Sequence, residues 1–305
     1  MKSRRKFIKT AGLMTAGAIL TPGIACKSGK KNETTDSMNE EVKKDVGIQI
    51  YTLRNQIDES LEKTLEKVAE IGYSWIEAFG YENGRILGKT PVEFKKLVND
   101  LGMTMPSIHS VTEVSSGTGK SAILDAMKLT IEDAKTAGAK YLVYAYLEEE
   151  ERDSLDDYKR HADLFNSFGE LCSDVGLQFA YHNHDFEFMN FDGVKPYDYL
   201  LENTDPDLVK MELDLYWIRK AGEDPVEYFK KHPGRFELWH VKDMEPGEEK
   251  YFAEVGHGVI DFKRIFDERE TAGMEYFFVE QDESRREPLE SIRMSFNYLN
   301  NAEYV

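Results

Sequence analysis

Two histidines separated by one residue follow a short apolar segment in the middle of the sequence. His182 and His184 stand in the stretch LQFAYHNHDFEF, residues 177–188, which also carries an asparagine, an aspartate and a glutamate. Imidazole and carboxylate groups at this density can bind a transition metal, form a hydrogen-bonded turn or belong to a solvated loop. Other segments of the chain help to decide between these interpretations.

The pairing of an apolar segment with a chemically active side chain recurs along the chain. The residues at or just after the ends of these segments are Glu77, His109, Tyr144, Tyr146, His182, His184, Asp214, His240, Lys242, Asp243, Glu280 and Asp282. Polar strand ends without a function would be a mixture of serine, threonine and asparagine. Mixed His, Asp and Glu groups instead suit a catalytic site for Mn, Zn, Co or Fe.

The elements that would position these side chains alternate between strands and helices. Apolar runs such as 46–53 and 207–217 alternate with amphipathic patterns such as 61–71 and 260–273. Eight such strand–helix pairs, with strands apolar on both faces, predict an α/β fold: a single-domain (β/α)8 TIM barrel. An open doubly wound sheet is the alternative, but residues 51–60 lack the glycine-rich turn that usually follows its first strand.

A barrel would bring the carboxyl ends of all strands to one face, where the active site lies. Asp214 and Glu280 are informative there, because a carboxylate in a buried strand is costly unless a cation or several donors compensate it. Glu77 has an alternative role as the ion-pair partner of a loop Arg or Lys. His109 has one as a core histidine bonded to a backbone carbonyl.

Several of these segments resemble the xylose isomerase-like TIM barrel superfamily, also called the sugar phosphate isomerase/epimerase family. The similarity covers about residues 46–305 and rests on ELDLYWI, AGEDPVEYF, LWHVKD, EVGHGVIDF and VEQD. It implies one divalent metal ion (Mn, Zn, Co, Fe or Mg) bound by one residue each from strands five to eight. Matched residue by residue, the resemblance assigns Asp214, His240 and Glu280 to the metal, and His182 takes the strand-five position.

Strand five departs from the pattern of the family's epimerases, which place a glutamate at the position of His182. In those enzymes two metal-bound glutamates act as paired acid and base, whereas a metal-bound imidazole has its lone pair on the metal. The YH-x-H pattern is similar to relatives that dehydrate keto-cyclitols and to lyases that act on 3-keto-glycosides. We therefore expect a metal-dependent enzyme that acts on a keto-sugar through an enediolate, with β-elimination favoured. Isomerisation or epimerisation of a free or phosphorylated ketose is the alternative.

The expected acid–base groups, with no order among them, are His109, His184, Lys242 and Glu280. His184 would lie beside the substrate or compete with His182 for the metal. The residues expected to contact substrate are Glu77, Tyr146, Trp217 and His257. Aromatic rings among them could stack on a sugar ring. His257 lies in GHGVID, residues 256–261, which would either close over the ligand or form a glycine turn with Asp261 as a helix N-cap.

The overall charge narrows the choice of partner. The 305 residues include 39 basic and 57 acidic side chains, a net charge of -18. This balance argues against nucleic acid and against an anionic membrane surface. The expected partner is a small carbohydrate, and a homo-oligomer is left open.

The amino terminus has the features of an export signal. Residues 3–9, SRRKFIK, resemble a twin-arginine motif, and residues 23–26, GIAC, are similar to a bacterial lipobox in which Cys26 is lipidated. We expect residues 1–26 to be the signal, 27–45 a polar tether and 46–305 the barrel. The protein would then be an exported, periplasmic-side lipoprotein whose only membrane contact is the anchor at Cys26. That location favours a substrate without phosphate.

Two other functions are alternatives to a metal-dependent enzyme. A surface-anchored, non-catalytic carbohydrate-binding protein could share the barrel, but binding alone does not need so many carboxylates and imidazoles. A metal-free hydrolase would need a suitably spaced carboxylate pair. Glu77 and Glu280 are expected on nearly opposite strands and fit that requirement poorly.

Overall fold

The computed structural model describes residues 44–110, 119–191 and 193–305. The expected export signal, including Cys26, and nearly all of the tether lie outside the described residues. Within these three ranges, no helix is both long enough and apolar enough to span a bilayer.

Eight parallel strands form a closed barrel, as predicted. In chain order the strands are β1 (Gly47–Gln49), β2 (Trp75–Ala78), β3 (Thr104–Ser110), β4 (Tyr141–Tyr144), β5 (Gln178–His182), β6 (Val209–Asp214), β7 (Leu238–Val241) and β8 (Tyr276–Val279). Each strand pairs with the next one in the chain, and β8 pairs with β1 to close the barrel. All eight carboxyl ends therefore face the same opening.

Helices connect the strands and cover the barrel. They are α1 (Arg54–Glu59), α2 (Leu61–Ile71), α3 (Pro91–Asp100), α4 (Lys120–Ala137), α5 (Leu155–Val175), α6 (Pro196–Asn203), α7 (Leu215–Lys220), α8 (Pro225–Lys231), α9 (Phe262–Phe266), α10 (Arg269–Ala272) and α11 (Pro288–Asn301). Single 3₁₀ turns cover Ile50–Leu53, Glu149–Glu151 and Phe186–Phe188. Two short hairpins pair Tyr81–Glu82 with Arg85–Ile86 and Asp243–Met244 with Phe252–Ala253.

Side-chain caps fix the start of helices α3 and α5, and a glycine fixes the end of α5. Ser154 and Asp157 form a capping box at the start of α5, and Thr90 and Glu93 form one at the start of α3. Gly176 ends α5 with a φ of 80°, in the left-handed region that side chains with a Cβ rarely adopt. All residues of β4 and β7 are buried, as expected for strands enclosed between a barrel interior and a helical layer.

Two predicted strands are shorter than their apolar runs suggested. The run 46–53 leaves the sheet after Gln49, whose side chain accepts a hydrogen bond from the Tyr51 N–H and turns the chain into a 3₁₀ helix. The run 207–217 leaves the sheet after Asp214, which caps α7. The single helix predicted over 260–273 is divided into α9 and α10.

Asp243 fixes the loop that follows the second hairpin. Its buried carboxylate accepts four backbone N–H groups at 2.8–3.1 Å, from Met244, Gly256, Gly258 and Ile260. A Cβ on Gly258 would lie 2.3 Å from the Asp243 Oδ1, so only glycine fits there. Asp243, at the end of strand seven, is therefore a structural acceptor for this loop.

The loop GHGVID, residues 256–261, forms a glycine turn that ends in a helix N-cap, which was one of its two predicted roles. Asp261 accepts a hydrogen bond from the Arg264 N–H at 3.1 Å and forms the N-cap of α9. His257 is exposed at the turn. The segment is a glycine turn followed by a helix cap.

Removing the Asp243 carboxylate should destabilise the barrel more than removing an ordinary helix cap. Asp243→Ala leaves four N–H donors without their acceptor, and we expect a loss of about 3 kcal/mol in the free energy of unfolding. Asp261→Ala, the control in the same loop, should cost about 1 kcal/mol. Urea denaturation in the presence of a chelator measures both without a contribution from bound metal. Equal losses would show that the four hydrogen bonds do not carry this stability.

Candidate metal centre and active-site cavity

Four side chains from consecutive strand ends converge at the open end of the barrel. His182 and Asp214 are the last residues of β5 and β6, His240 lies in β7, and Glu280 directly follows β8. All four are buried, and one potential ligand atom from each lies within 4.8 Å of the others. This is the set that the family resemblance assigned to a metal ion.

Asp214 uses its two oxygens differently. Oδ1 accepts the N–H groups of Tyr216 and Trp217, both at 2.8 Å, and thereby caps α7. Oδ2 faces the cluster and lies 3.0 Å from Lys242 Nζ, 3.8 Å from His240 Nδ1 and 3.9 Å from His182 Nε2. One oxygen holds the backbone, and the other, paired with the Lys242 ammonium group, faces the position where a metal ion would bind.

His182 is held in the neutral state that metal binding requires. Burial, and then the neighbouring His240 and His184, lower the pKa of His182 well below its usual value. Its Nδ1 is buried without a hydrogen-bond partner in the described part of the chain and lies 3.2 Å from Glu212 Oε2. A neutral imidazole keeps a lone pair on one ring nitrogen, as a metal ligand requires.

His240 lies between two carboxylates. Its Nδ1 is 2.8 Å from Glu280 Oε2, and its Nε2 is 2.6 Å from Glu77 Oε2. Burial opposes a charge on His240, but Glu212, Glu280 and Glu77 outweigh it and raise the pKa of this histidine well above the usual range. Since Nδ1 faces the cluster, a metal would replace the proton on Nδ1 while Glu77 orients the ring through Nε2.

Glu77 lies below the cluster and does not line the cavity. It is fully buried and accepts hydrogen bonds from Gln49 Nε2 at 2.9 Å, from Ser107 Oγ and from His240. The structure thus places this predicted substrate-binding residue in the barrel interior, out of reach of a ligand in the cavity.

Glu212 is a site residue that our sequence analysis missed. This fully buried residue of β6 lies 2.6 Å from His109 Nε2, 3.2 Å from His182 Nδ1 and 3.3 Å from His240 Nε2. Burial opposes its charge, but His240 and His109 outweigh it and hold the pKa of Glu212 below the usual range. Side chains two apart on a strand face the same way, so its position two residues before Asp214 was an available signal.

His109 shares these carboxylates at the edge of the cavity. Its Nε2 lies 3.1 Å from Glu77 and 2.6 Å from Glu212. Burial opposes its charge, yet the two carboxylates raise the pKa of His109 to about 10. The ring stacks on His240, with centroids 5.1 Å apart. His109 is thus a charged ring paired with carboxylates, and the alternative of a bond to a backbone carbonyl is not what the structure shows.

The cluster fits a divalent transition metal on the chemistry of its donors. Two imidazoles and the buried carboxylates of Asp214 and Glu280 converge there. Two buried carboxylates this close together are costly unless cations compensate them, and a bound metal ion would add to the compensation that Lys242 provides. Mixed nitrogen and oxygen donors of this kind suit Zn, Mn, Fe or Co.

A cavity of about 740 Å³ opens above the cluster. Among the predicted site residues, those that line it are His109, Tyr146, His182, His184, Trp217, Lys242 and Glu280. Glu77 and His257 do not line it. Tyr51, Phe79 and Phe252 add further aromatic surface.

Lys242 connects the candidate ligands to the cavity wall. Its Nζ lies 3.0 Å from Asp214, 2.8 Å from Glu280 and 3.0 Å from Asp282. Burial opposes its charge, but these carboxylates raise the pKa of Lys242 well above its usual value. The side chain is therefore an ammonium group that can donate hydrogen bonds.

The stretch 177–188 combines a candidate ligand with a hydrogen-bonded turn. The buried Glu187 accepts the His184 N–H at 2.9 Å and the Tyr181 hydroxyl at 2.6 Å, and Asn183 Oδ1 accepts the Asp214 N–H at 3.1 Å. His184 stacks on Phe186. It belongs neither to the cluster of four nor to the second group of potential metal ligands in the described residues, which consists of His109, His182, Glu212 and His240. Burial and the charge of Lys242 lower the pKa of His184 to about 3, so its ring is neutral.

The expectation that Glu77 and Glu280 lie on nearly opposite strands is wrong. Strands β2 and β8 are not opposite, because both neighbour β1, and Glu77 and Glu280 contact the same imidazole. The pair still cannot flank a substrate bond, since Glu77 is buried beneath His240.

Comparisons with known proteins identify the family of this chain. The profile of the xylose isomerase-like TIM barrel family matches residues 65–302. The chain belongs to this family. An inosose dehydratase of Geobacillus thermodenitrificans is 31% identical over 156 residues, covering 45% of this chain and 52% of that protein. The chain thus spans about half the length of that curated relative.

Two solved structures share the barrel. A sugar phosphate isomerase/epimerase from Parabacteroides distasonis is 29% identical, with a TM-score of 0.76 over 86% of this chain and 99% of that one. The IolI protein with a bound zinc atom is 17% identical, with a TM-score of 0.66 over 86% and 99%. At that identity the IolI likeness supports the fold only.

Metal content tests the proposed ligand set. Purified wild-type protein should carry about one divalent metal ion per chain. His182→Ala and Asp214→Ala should lose it, because each removes one of four convergent donors, while His184→Ala should keep it. Elemental analysis by mass spectrometry measures the ratio. Metal retained by His182→Ala but lost by His184→Ala would transfer the strand-five ligand to His184.

The carboxylates beneath the cluster should tune metal affinity without binding the metal. Glu77→Gln and Glu212→Gln remove the negative charge that orients His240 and His182, and each should weaken metal binding about 10- to 100-fold. Competition with a fluorescent chelator measures the affinity. Glu237→Gln is a control, because Glu237 bonds the Tyr141 hydroxyl and Lys210 instead of a site residue. If both site variants bind metal as tightly as this control, the two residues have only a structural role.

Proposed function

We propose that this chain is a divalent-metal-dependent lyase that performs β-elimination on a keto-sugar, either a 3-keto-glycoside or a keto-cyclitol. The observation that carries the proposal is the imidazole of His182 in the strand-five position of the candidate metal cluster. The similarity to an inosose dehydratase supports it, since that relative is named for a dehydration.

The distribution of charge around the cavity supports elimination over two-base epimerisation. Among the described lining residues, carboxylates come only from the segment after β8, at Glu280, Asp282 and Glu283. The β3 and β5 ends supply imidazoles instead, from His109, His182 and His184. Two carboxylates on opposite faces of one substrate carbon, as the epimerases of this family use, are not available from these residues.

The residues present define what a bound metal would contribute. His182, Asp214, His240 and Glu280 would hold the ion, which would supply a Lewis acid that polarises the substrate ketone and stabilises the charge developing on its oxygen. The aromatic side chains of Tyr146, Trp217 and Phe252 would hold the sugar ring by stacking.

Two lining groups outside the ligand set are placed to move protons. Neutral His184 can accept the proton from the carbon next to the ketone as the ammonium group of Lys242 donates one to the leaving oxygen. The two transfers assist each other, because burial and the charge of Lys242 lower the pKa of His184, and that charge is lost when Lys242 gives up its proton. The C–H electron pair then forms a carbon–carbon double bond as the β-carbon–oxygen bond breaks. The products are an unsaturated keto-sugar and either water or an alcohol.

The substrate should be uncharged. The cationic side chains among the described residues that line the cavity are Arg54, His109 and Lys242. Lys242 is already paired with three carboxylates and His109 with two. Three acidic residues line the same space and would repel a phosphate. This agrees with the expectation of an exported protein, which would meet sugars without phosphate.

Isomerisation or epimerisation of a ketose is the second candidate function. It is favoured by the sugar phosphate isomerase/epimerase from Parabacteroides distasonis, whose chain is matched almost completely. The same cavity and metal cluster would serve it, with a second proton acceptor supplied by an imidazole.

Elimination can be tested on purified, metal-loaded protein. A methyl 3-keto-glucoside and an inosose should lose methanol and water respectively, giving conjugated products that are followed by ultraviolet absorbance. Lys242→Met and His184→Ala should lower kcat by about 100-fold or more while keeping metal, because each removes one proton-transfer group. Leu129→Ala, an exposed position on α4, is the control.

The alternatives give different results in this assay. Exchange of solvent deuterium into a ketose with inversion, but without elimination, would establish the epimerase. Sugar binding that persists after metal removal, with no turnover of any substrate, would establish a binding protein.

A further inference from the structure

A second void adjoins the active-site cavity. It has a volume of about 800 Å³ and shares Tyr146, His184 and Trp217 with the metal-side cavity. The residues that belong to it alone are Arg152, Asp185, Phe186, Phe188, Met189 and Ala221. We refer to this second void as the outer groove. Because three residues line both voids, the outer groove lies directly beside the active-site cavity.

The outer groove has an apolar floor and a polar rim. Phe186 and Phe188 are buried beneath it, whereas the Met189 side chain is 63% exposed. The Arg152 guanidinium lies 3.7 Å from the centre of the Phe186 ring. Asp185 pairs with Lys220 at 3.3 Å.

The polar groups on this rim keep hydrogen-bonding capacity for a ligand. Arg152 donates to the Leu147 carbonyl at 3.0 Å and the Tyr146 hydroxyl at 3.1 Å, which leaves other guanidinium N–H groups for a ligand. Asp185 supplies carboxylate acceptors that are about two-fifths exposed. Apolar surface with donors and acceptors at its edge matches a pyranose ring, which has an apolar C–H face and a girdle of hydroxyls.

We propose that the outer groove is a leaving-group subsite that binds the second sugar ring of a 3-keto-disaccharide. This inference rests on the proposed lyase function and narrows its substrate class. Elimination of water from a cyclitol would need no second site, because water is the whole leaving group. A glycoside places a second ring on the oxygen that departs, and the outer groove shares His184 and Trp217 with the first cavity, where that oxygen would lie.

The reaction on such a substrate is balanced without a further reactant. The carbon between the ketone and the anomeric carbon loses its proton to the base, and its electrons form a double bond to the anomeric carbon. The anomeric carbon–oxygen bond breaks with its electron pair, and the departing oxygen takes a proton from the acid. The second ring then leaves the outer groove as a free sugar.

Binding and turnover are measured separately to test the subsite. Calorimetry on metal-loaded protein gives dissociation constants for methyl glucoside and for a glucose disaccharide, neither of which has the ketone needed for elimination. Kinetics then compare the 3-keto forms of both. Wild type should bind the disaccharide about tenfold more tightly and show a similar advantage in kcat/KM.

Two variants test whether the outer groove carries this preference. Met189→Ala removes apolar surface from it, and Ala221→Leu fills part of it. Both should reduce the disaccharide preference to about threefold or less. Leu129→Ala removes an equally exposed apolar side chain from α4, away from the site, and should keep the preference.

The outcomes separate this proposal from the proposed function. Equal affinity for the two sugars, or a preference that survives in both groove variants, overturns the subsite even if the keto-sugars are turned over. A preference that the groove variants abolish, without elimination from either keto-sugar, supports the subsite and overturns the lyase.

Discussion

The contact of His240 with carboxylates on both sides is the interaction on which the site depends. Its imidazole meets Glu280 at the cavity and Glu77 in the barrel interior, at 2.8 and 2.6 Å. A carboxylate as deeply buried as Glu77 is costly unless it is paired and hydrogen-bonded. Gln49 and Ser107 supply the remaining donors, so β1, β2, β3 and β7 are tied together beneath the cluster.

This arrangement makes the candidate metal centre part of the barrel interior. Glu212 repeats the pattern on the other side, where it contacts His109, His182 and His240. Each candidate histidine ligand therefore has a buried carboxylate at the nitrogen that faces away from the cluster. Such partners fix the ring orientation and raise the basicity of the ligand. The buried carboxylates of Glu77 and Glu212, one layer below the cluster, thus determine how the candidate histidine ligands are oriented.

The sequence predicted the fold and the convergence of the four strand-end residues well, because both follow from periodicity and from the geometry of a parallel barrel. It could not predict depth within the barrel. Glu77 and His109 each lie one residue before the end of their strands, yet Glu77 is in the layer beneath the cavity whereas His109 lines it. The lengths of β1 and β6 could not be predicted from the sequence either. Both strands end inside longer apolar runs, where the side chains of Gln49 and Asp214 accept backbone hydrogen bonds. The position of His257 outside the cavity was also not predictable, because it depends on the hydrogen bonds that Asp243 accepts from Gly256 and Gly258 on either side of it.

The imidazole at strand five also changes the charge of the centre. His182, Asp214, His240 and Glu280 contribute two negative charges when both histidines are neutral, which balances a divalent cation. A glutamate in place of His182 would make the ligand set one charge more negative. A neutral centre attracts the electrons of a substrate ketone more strongly than a negative one, because less ligand charge opposes the developing oxyanion. The residue at this position would therefore have two effects. It removes the second carboxylate base that two-base epimerisation uses, and it strengthens the Lewis acid that would stabilise an enediolate, the intermediate that elimination and epimerisation share.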